Sequence, residues 1–571
     1  MNTPETEIST AQRSLRCMTA ALLCALQFFV LIPSAIFVGN ADEFNFSLGE
    51  LLPHALPWIF ASIVGASLLG WVLPRKISHA STVVLICLGV GLYVQSALLL
   101  WDYGQLDGTD IAWDAHFKHG LIDAAAWLAV FACGLHFRSF LYSNALRISA
   151  FVILIEIFAL FPALRFSSEV AQNSETDARY EDLFRFSPTQ NAIVILLDSL
   201  QSPVFAELLK RDPTLAEEFR DFTFLPNTTS SFPSTLPSIP SILSGVAYDS
   251  STSLFEYFTE TVAKQSLPAV LRKQGFQVSL ATLPGFCRFF QAGECAEARR
   301  YPNANDQDSA RQEYIELLDY SLFRSVPHHL KRPVYNDDRW VLRELLRDGT
   351  GQRSRVDGSI QLVNRFEAEA KMDARKPTFK FIHLILPHPP LRVDAQCAPL
   401  TKGSRLTNEG YLQQARCALR QAARLLQKFE AIGIYDVSTI VVTADHGLRL
   451  DYGTNQPAYA KKHGLLQVSR ALPLLLVKAA GHRGDLAKSQ RPAQLIDIAK
   501  TLGDTMAVQH NLPGENLFRL EEDAERERLF TDLSLRWAFW RETKKSEAGT
   551  SAPRFVARGN AWDPHNWSKV E

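Results

Sequence analysis

Apolar residues crowd into the first third of the chain. Five runs there, at residues 18–37, 55–73, 82–101, 121–137 and 148–164, approach the roughly 20 residues a helix needs to cross a bilayer. The pattern predicts five membrane helices. No small-residue cleavage site follows the first run and four more succeed it, so it reads as a retained helix rather than a signal peptide. Residues 167–190 then turn polar, with Glu169, Glu175, Asp177, Glu181 and Asp182, as expected of a linker leaving the membrane.

Beyond the linker the hydrophobic period changes. Residues 191–197 form a continuous apolar run of strand length, which suits a buried parallel strand, and 379–386, 439–443 and 472–477 predict further strands. Within 408–432, Leu412, Ala415, Leu419, Ala422, Leu426 and Phe429 recur at helical spacing. Strands alternating with helices predict an α/β domain with a mostly parallel central sheet. Ligands of such sheets sit at the carboxyl ends of the strands. The expected division is therefore a five-helix transmembrane region at 1–165, a linker at 166–189, the α/β domain at 190–520 and a C-terminal tail at 521–571. The tail carries Trp537, Trp540, Trp562 and Trp567 among charges, and packing on the domain or lying at a membrane surface both suit it.

Charge orients the membrane region, because Lys and Arg beside membrane helices tend to stay cytoplasmic. Arg13 and Arg16 precede the first run, Arg75 and Lys76 sit in the second connection, and Arg138 and Arg147 in the fourth. The first connection carries Asp42, Glu43 and Glu50, and the third Asp102, Asp107, Asp110 and Asp114 against Lys118. Five crossings from a cytoplasmic start place everything after Arg165 outside. Glu156, near the centre of the fifth run, is either a functional carboxylate or one kept protonated or internally paired, and no role is assigned to it. The formal net charge of -1 offers no basic field for nucleic acid. Cys287, Cys295, Cys397 and Cys417 lie in the outer portion, an even number that fits two disulfides in an oxidising compartment. Local pairing, Cys287 with Cys295 and Cys397 with Cys417, is the simplest arrangement.

Candidate chemistry gathers where the strands end. The first strand runs into Asp198 and Ser199, and a later one into Asp445-His446-Gly447, an oxygen and imidazole set suited to a divalent ion. Between them, residues 227–245 form a hydroxyl-rich stretch that includes Thr235, Ser238, Ser241 and Ser244. The strand at 379–386 leads into Pro387-His388-Pro389-Pro390, while His383 inside that strand reads as a core histidine. Lys462 and His463 precede the last strand. His328 and His329 follow no strand and read as surface residues.

The stretch from Thr235 to Gly245 resembles the nucleophile motif of the sulfatase and alkaline phosphatase superfamily, and Asp198, Thr235, Asp445 and His446 occur in that family's order. The resemblance covers roughly residues 191–517. Leu267-Pro268-Ala269-Val270-Leu271 before Gly275-Phe276 looks like the family's helix leading into a strand, and Ile496-Asp497-Ile498 like its terminal helix. Sulfatases carry a Cys or Ser converted to formylglycine and an Arg four positions later, where this chain has Thr235 and Ile239. An unmodified Thr and five membrane helices are instead similar to the phosphoethanolamine transferases and lipoteichoic acid synthases, although those transferases generally have Glu in place of Asp198.

The resemblance implies Thr235 as nucleophile and one divalent ion (Mn, Zn, Ca or Mg) on Asp198, Thr235, Asp445 and His446. His388 would act on the ester, Lys462 and His463 would bind substrate, and His463 could ligate a second metal. The implied function is transfer of a phosphoethanolamine or phosphoglycerol type headgroup from a phospholipid to an extracytoplasmic glycan or lipid. That places the chain in the cell's inner (plasma) membrane with its catalytic domain periplasmic or extracellular. A sulfuric or phosphoric ester hydrolase is the alternative, and an inactive sulfatase-like membrane receptor a second one.

Overall fold

The computed structural model describes residues 9–570, apart from 40–47, 104–105, 107–110, 112, 172–180, 288, 292–293, 298–305, 337–338, 347–354, 405, 449–456 and 534–551. The chain forms two compact units, Met1–Glu175 with Asn303–Gln352, and Thr176–Pro302 with Arg353–Glu571.

In the first unit, four helical stretches are long and apolar enough to cross a membrane: Thr10–Val38, Leu51–Val72, Arg75–Leu98 and Trp113–His136. The fifth predicted run falls in the helix Ala145–Ala171, whose side chains from 159 onward lie outside the described residues, so a fifth span stays an expectation. The first helix opens on a capping box, Ser9 accepting from the Gln12 backbone while the Gln12 side chain reaches back. Glu156 is buried, and its Oε2 has no hydrogen-bond partner among the described residues.

Two of the long helices pass through π-helical turns, Gln27–Leu31 and Val94–Leu98. Such turns loosen the regular ladder and offer carbonyls to outside donors. The helix Asp306–Ser325 supplies those donors, Tyr314 Oη reaching Phe29 O at 3.0 Å and Arg324 Nε reaching Ser96 O at 2.7 Å. Leu317 and Leu318 of that helix are buried with Ala25, Leu51, Ala55 and Ile59. The described part of residues 306–346 therefore packs with the first unit, although in sequence it falls within the 190–520 stretch. His328 is consequently no surface residue. It is buried with Nδ1 2.8 Å from Tyr103 Oη, and only His329 of the pair is exposed.

The second unit is built on an eight-stranded sheet. Its strands are β1 (Asn191–Leu197), β2 (Thr223–Phe224), β3 (Gln277–Thr282), β4 (Cys295–Glu297), β5 (Thr378–Leu384), β6 (Ser438–Thr443), β7 (Leu475–Lys478) and β8 (Ala487–Lys488). They run in spatial order β8-β2-β7-β6-β1-β5-β3-β4. β1 is parallel to β5 and β6, and β7 is antiparallel to both β6 and β2.

The unbroken apolar run of β1 follows from burial on both faces. Ile193, Ile195 and Leu197 enter one core with the helix Asn408–Ala431, and Ala192, Val194 and Leu196 enter the other with the helices Thr235–Ser244 and Asp497–Thr505. Leu183, Phe184 and Phe186 are buried in the first of these cores, so the end of the predicted linker is already part of the domain.

The C-terminal strands β9 (Glu527–Thr531), β10 (Arg554–Arg558) and β11 (Trp567–Val570) form an antiparallel sheet. Phe530, Phe555 and Trp567 pack there against Ala460, Val468 and Leu472, which settles the described part of the tail on the domain. Trp537 and Trp540 lie outside the described residues. Cys287 is bonded to Cys295 and Cys397 to Cys417.

Candidate functional site

Parallel register sets the height of the two carboxylates. Leu196 of β1 pairs with Thr443 of β6, so Asp198 and Asp445, each two residues further on, leave the sheet side by side. Both are buried. Ser199 follows in the left-handed region at φ 66, which turns its backbone N–H onto Asp445 Oδ1 at 3.0 Å while its hydroxyl donates to Asp198 Oδ1 at 2.8 Å. Tyr411 Oη donates to Ser199 O at 2.6 Å and holds this turn from the neighbouring helix. At Gly447 a Cβ would meet Gln201 Cγ at 2.7 Å and Ser469 O at 2.9 Å, so only glycine lets the chain pass.

Thr235 opens the helix Thr235–Ser244, which Gly245 closes in the left-handed conformation at φ 74. The turn places Thr235 Oγ1 3.3 Å from His446 Nε2. His446 Nδ1 lies 2.9 Å from Gly447 O, which accepts only, so the proton resides on Nδ1 and the Nε2 lone pair faces the threonine. Asp445 Oδ1 accepts from the backbone of both Ser199 and His446, whereas its Oδ2 is buried without a hydrogen bond among the described residues. An oxygen so placed calls for a cation. Ligand atoms of Asp198, Asp445 and His446 lie within 4.8 Å of one another, and two carboxylates, an imidazole and a hydroxyl make a donor set that fits one divalent ion.

His383, expected to be a core histidine, reaches the site. Its Nε2 lies 3.1 Å from Asp198 Oδ2 and its Nδ1 3.3 Å from Thr282 Oγ1. A carboxylate only accepts, so Nε2–H donates to Asp198 and Nδ1 accepts from the threonine hydroxyl. The signal was its place on β5 beside Leu196, one residue short of the strand end. Burial opposes ionisation of Asp198, but the neighbouring imidazoles of His388, His383 and His446, with the His383 Nε2–H donated to its Oδ2, outweigh it and hold its carboxyl well below the usual carboxylate range.

His388 is half-buried in the loop after β5, and its Nδ1–H donates to Pro389 O at 2.5 Å, leaving Nε2 for other partners. Gln414 secures that loop by donating to Pro387 O, His388 O and Pro390 O. Lys462 and His463 stand apart. Both are exposed, His463 stacks on Tyr459 at 4.1 Å, and no contact among the described residues joins either to the four ligands.

The family model described as Sulfatase matches residues 190–508, a span that holds every one of these residues. No curated protein matches the chain. Solved structures with some likeness include the phosphonate monoester hydrolase of Silicibacter pomeroyi (15% identity, 67% of this chain and 88% of that one, TM-score 0.38). Another is the phosphonate monoester hydrolase of Agrobacterium radiobacter (12% identity, 67% and 88%, TM-score 0.40). A third is an alkaline phosphatase superfamily protein of Vibrio parahaemolyticus (14% identity, 68% and 80%, TM-score 0.39).

Proposed function

Because the chain belongs to the sulfatase family, we propose that it is a membrane-anchored, metal-dependent enzyme that moves a phospho-headgroup from a phospholipid to an extracytoplasmic glycan or lipid. The observation that carries this reading is Thr235 Oγ1 beside His446 Nε2 at the head of a helix. The first-unit helices support the anchor, and the charges of the connections support an exported domain.

A divalent ion on Asp198, Asp445, His446 and Thr235 would lower the pKa of the threonine hydroxyl and offset phosphoryl charge. Thr235 Oγ1 forms the bond to phosphorus as the bond from phosphorus to the diacylglycerol oxygen breaks. Thr235 releases its proton to solvent, from which it is regained in the second half, and the departing oxygen takes a proton from Nε2–H of a His388 that carries protons on both ring nitrogens. In the second half an acceptor hydroxyl attacks the phospho-threonine and returns a proton to His388, and Thr235 leaves with its own restored. The partial positive charge of the helix start favours the anionic group on Thr235.

Hydrolysis is the second reading, with water in place of the acceptor. Ordinary sulfate-ester chemistry is disfavoured, because Ile239, where the sulfatase motif carries its arginine, is buried in the core. The assembled ligand set speaks against an inactive receptor.

The test gives the purified full chain labelled phosphatidylethanolamine, phosphatidylglycerol and a generic sulfate ester with manganese, zinc or calcium. Diacylglycerol release by the wild type and not by Thr235→Ala supports the transferase, and release that needs no acceptor supports the hydrolase. Absence of turnover with every metal and substrate sinks both.

A further inference from the structure

The first unit carries a histidine cluster with no part in the chemistry above. It lies where the helix Phe117–His136 begins, after the short helical turn Trp113–His116. His116 and His119 are one turn apart, and their Nδ1 atoms face each other at 3.1 Å. Both rings rest on aromatic supports. His119 lies flat on Trp101, with centroids 4.2 Å apart and planes within 5°, and His116 packs on Tyr103 at 4.5 Å.

The supports are themselves anchored. Trp101 Nε1 donates to Asp123 Oδ1 at 2.7 Å, and the His328 backbone N–H donates to the other oxygen of that fully buried carboxylate at 2.8 Å. Tyr103 Oη meets His328 Nδ1.

Two imidazole nitrogens bound to one tetrahedral zinc, each at about 2.0–2.1 Å, lie about 3.4 Å apart. The 3.1 Å separation needs only a small opening to admit an ion. A hydrogen bond between the rings would instead require opposite tautomers. Fixing both rings on anchored aromatics lowers the entropy lost when a ligand binds.

We propose that His116 and His119 form a binding site for a divalent transition-metal ion of the zinc, nickel or copper class, with water completing its coordination. Imidazole donors select these ions over magnesium or calcium. The site belongs to the first unit, whereas the catalytic ligands all belong to the second.

The experiment uses the full chain in detergent, purified without a polyhistidine tag, and first removes the catalytic site with the pair Asp445→Asn and His446→Ala. After chelation, copper(II) is restored, free ion is removed, and bound copper is measured by mass spectrometry and electron paramagnetic resonance. The expected result is about one equivalent of copper with coupling to two nitrogens, lost when His116→Ala and His119→Ala are added. Absence of bound copper in the Asp445→Asn, His446→Ala protein overturns the proposal without any change at the histidines. So does copper that persists at full occupancy after both histidines are removed. Circular dichroism and gel filtration establish that the four-site variant is folded, and His119→Ala alone, expected to weaken binding at least tenfold, gives a milder second reading.

Discussion

Replacing His383 with leucine isolates the least obvious part of the site. The substitution removes the Nε2–H that meets Asp198 Oδ2 at 3.1 Å, in a place where both side chains are buried. A hydrogen bond to a charged group contributes about 1.5–3 kcal/mol, which converts to about 10- to 100-fold in an equilibrium. A partner lost behind a metal ligand weakens the metal by a similar factor. The expected outcome is divalent-metal affinity reduced about 10- to 100-fold, with kcat/KM falling in parallel at limiting metal and recovering at saturating metal. Asp198 also loses a group that keeps its carboxyl acidic, so metal retention in the variant should fail at a higher pH than in the wild type. Metal titration by calorimetry at several pH values reads both effects. His383→Gln, which carries an amide donor near the same place, should restore part of the affinity. Metal affinity within twofold of wild type in His383→Leu would refute the assignment.

Further expectations are independent of one another. Thr235→Ala should lower turnover by roughly a thousandfold or more while metal-free stability stays near wild type, read by steady-state kinetics and thermal melting. His388→Ala should cost about 10²–10⁴ in kcat and remove one limb of the pH–rate profile. Breaking the Cys397–Cys417 bridge, which spans a sequence separation of 20, with a double serine variant should destabilise the second unit by about 3 kcal/mol in denaturant unfolding. Lys380 is fully buried, donates to Asp182 O and Ser279 Oγ, and is pushed down to about 7 by burial. An unfolded lysine holds its proton up to about 10.4, so stability should rise from pH 7 towards pH 10. In Lys380→Met that rise should shrink to the part contributed by Lys478, which burial pushes down to about 8, as unfolding at a series of pH values would show.

Much of the second unit was legible in the sequence because its strands are buried on both faces. β1 matches the apolar run at 191–197 for that reason, and the long helix 408–432 showed its stripe because Leu412, Ala415, Leu419, Ala422, Leu426 and Phe429 enter the core with β1, although the polar Gln414, Arg416 and Gln421 are buried too. The ends of those strands then pointed to Asp198, Asp445 and His446. Other features depend on contacts remote in sequence. Phe184 and Phe186 sit among acidic residues and looked like linker, yet they pack on Phe366 and Phe429 far along the chain. Helix 306–325 has no single apolar face, so nothing in its pattern revealed Tyr314 and Arg324 as partners of two π-helical turns. His383 lay on the correct strand, but which face it took depended on pairing with β1.

The central claim is that Thr235 becomes covalently phosphorylated by the donor. Acid-quenched protein, mixed with a phospholipid donor in the absence of acceptor, can be digested and the peptide containing Thr235 sequenced by tandem mass spectrometry. The account predicts a headgroup phosphate on Thr235 that disappears when acceptor is added and never forms in His446→Ala. Turnover of the same donor with Thr235 unmodified at every time point, or undiminished turnover by Thr235→Ala, would contradict it.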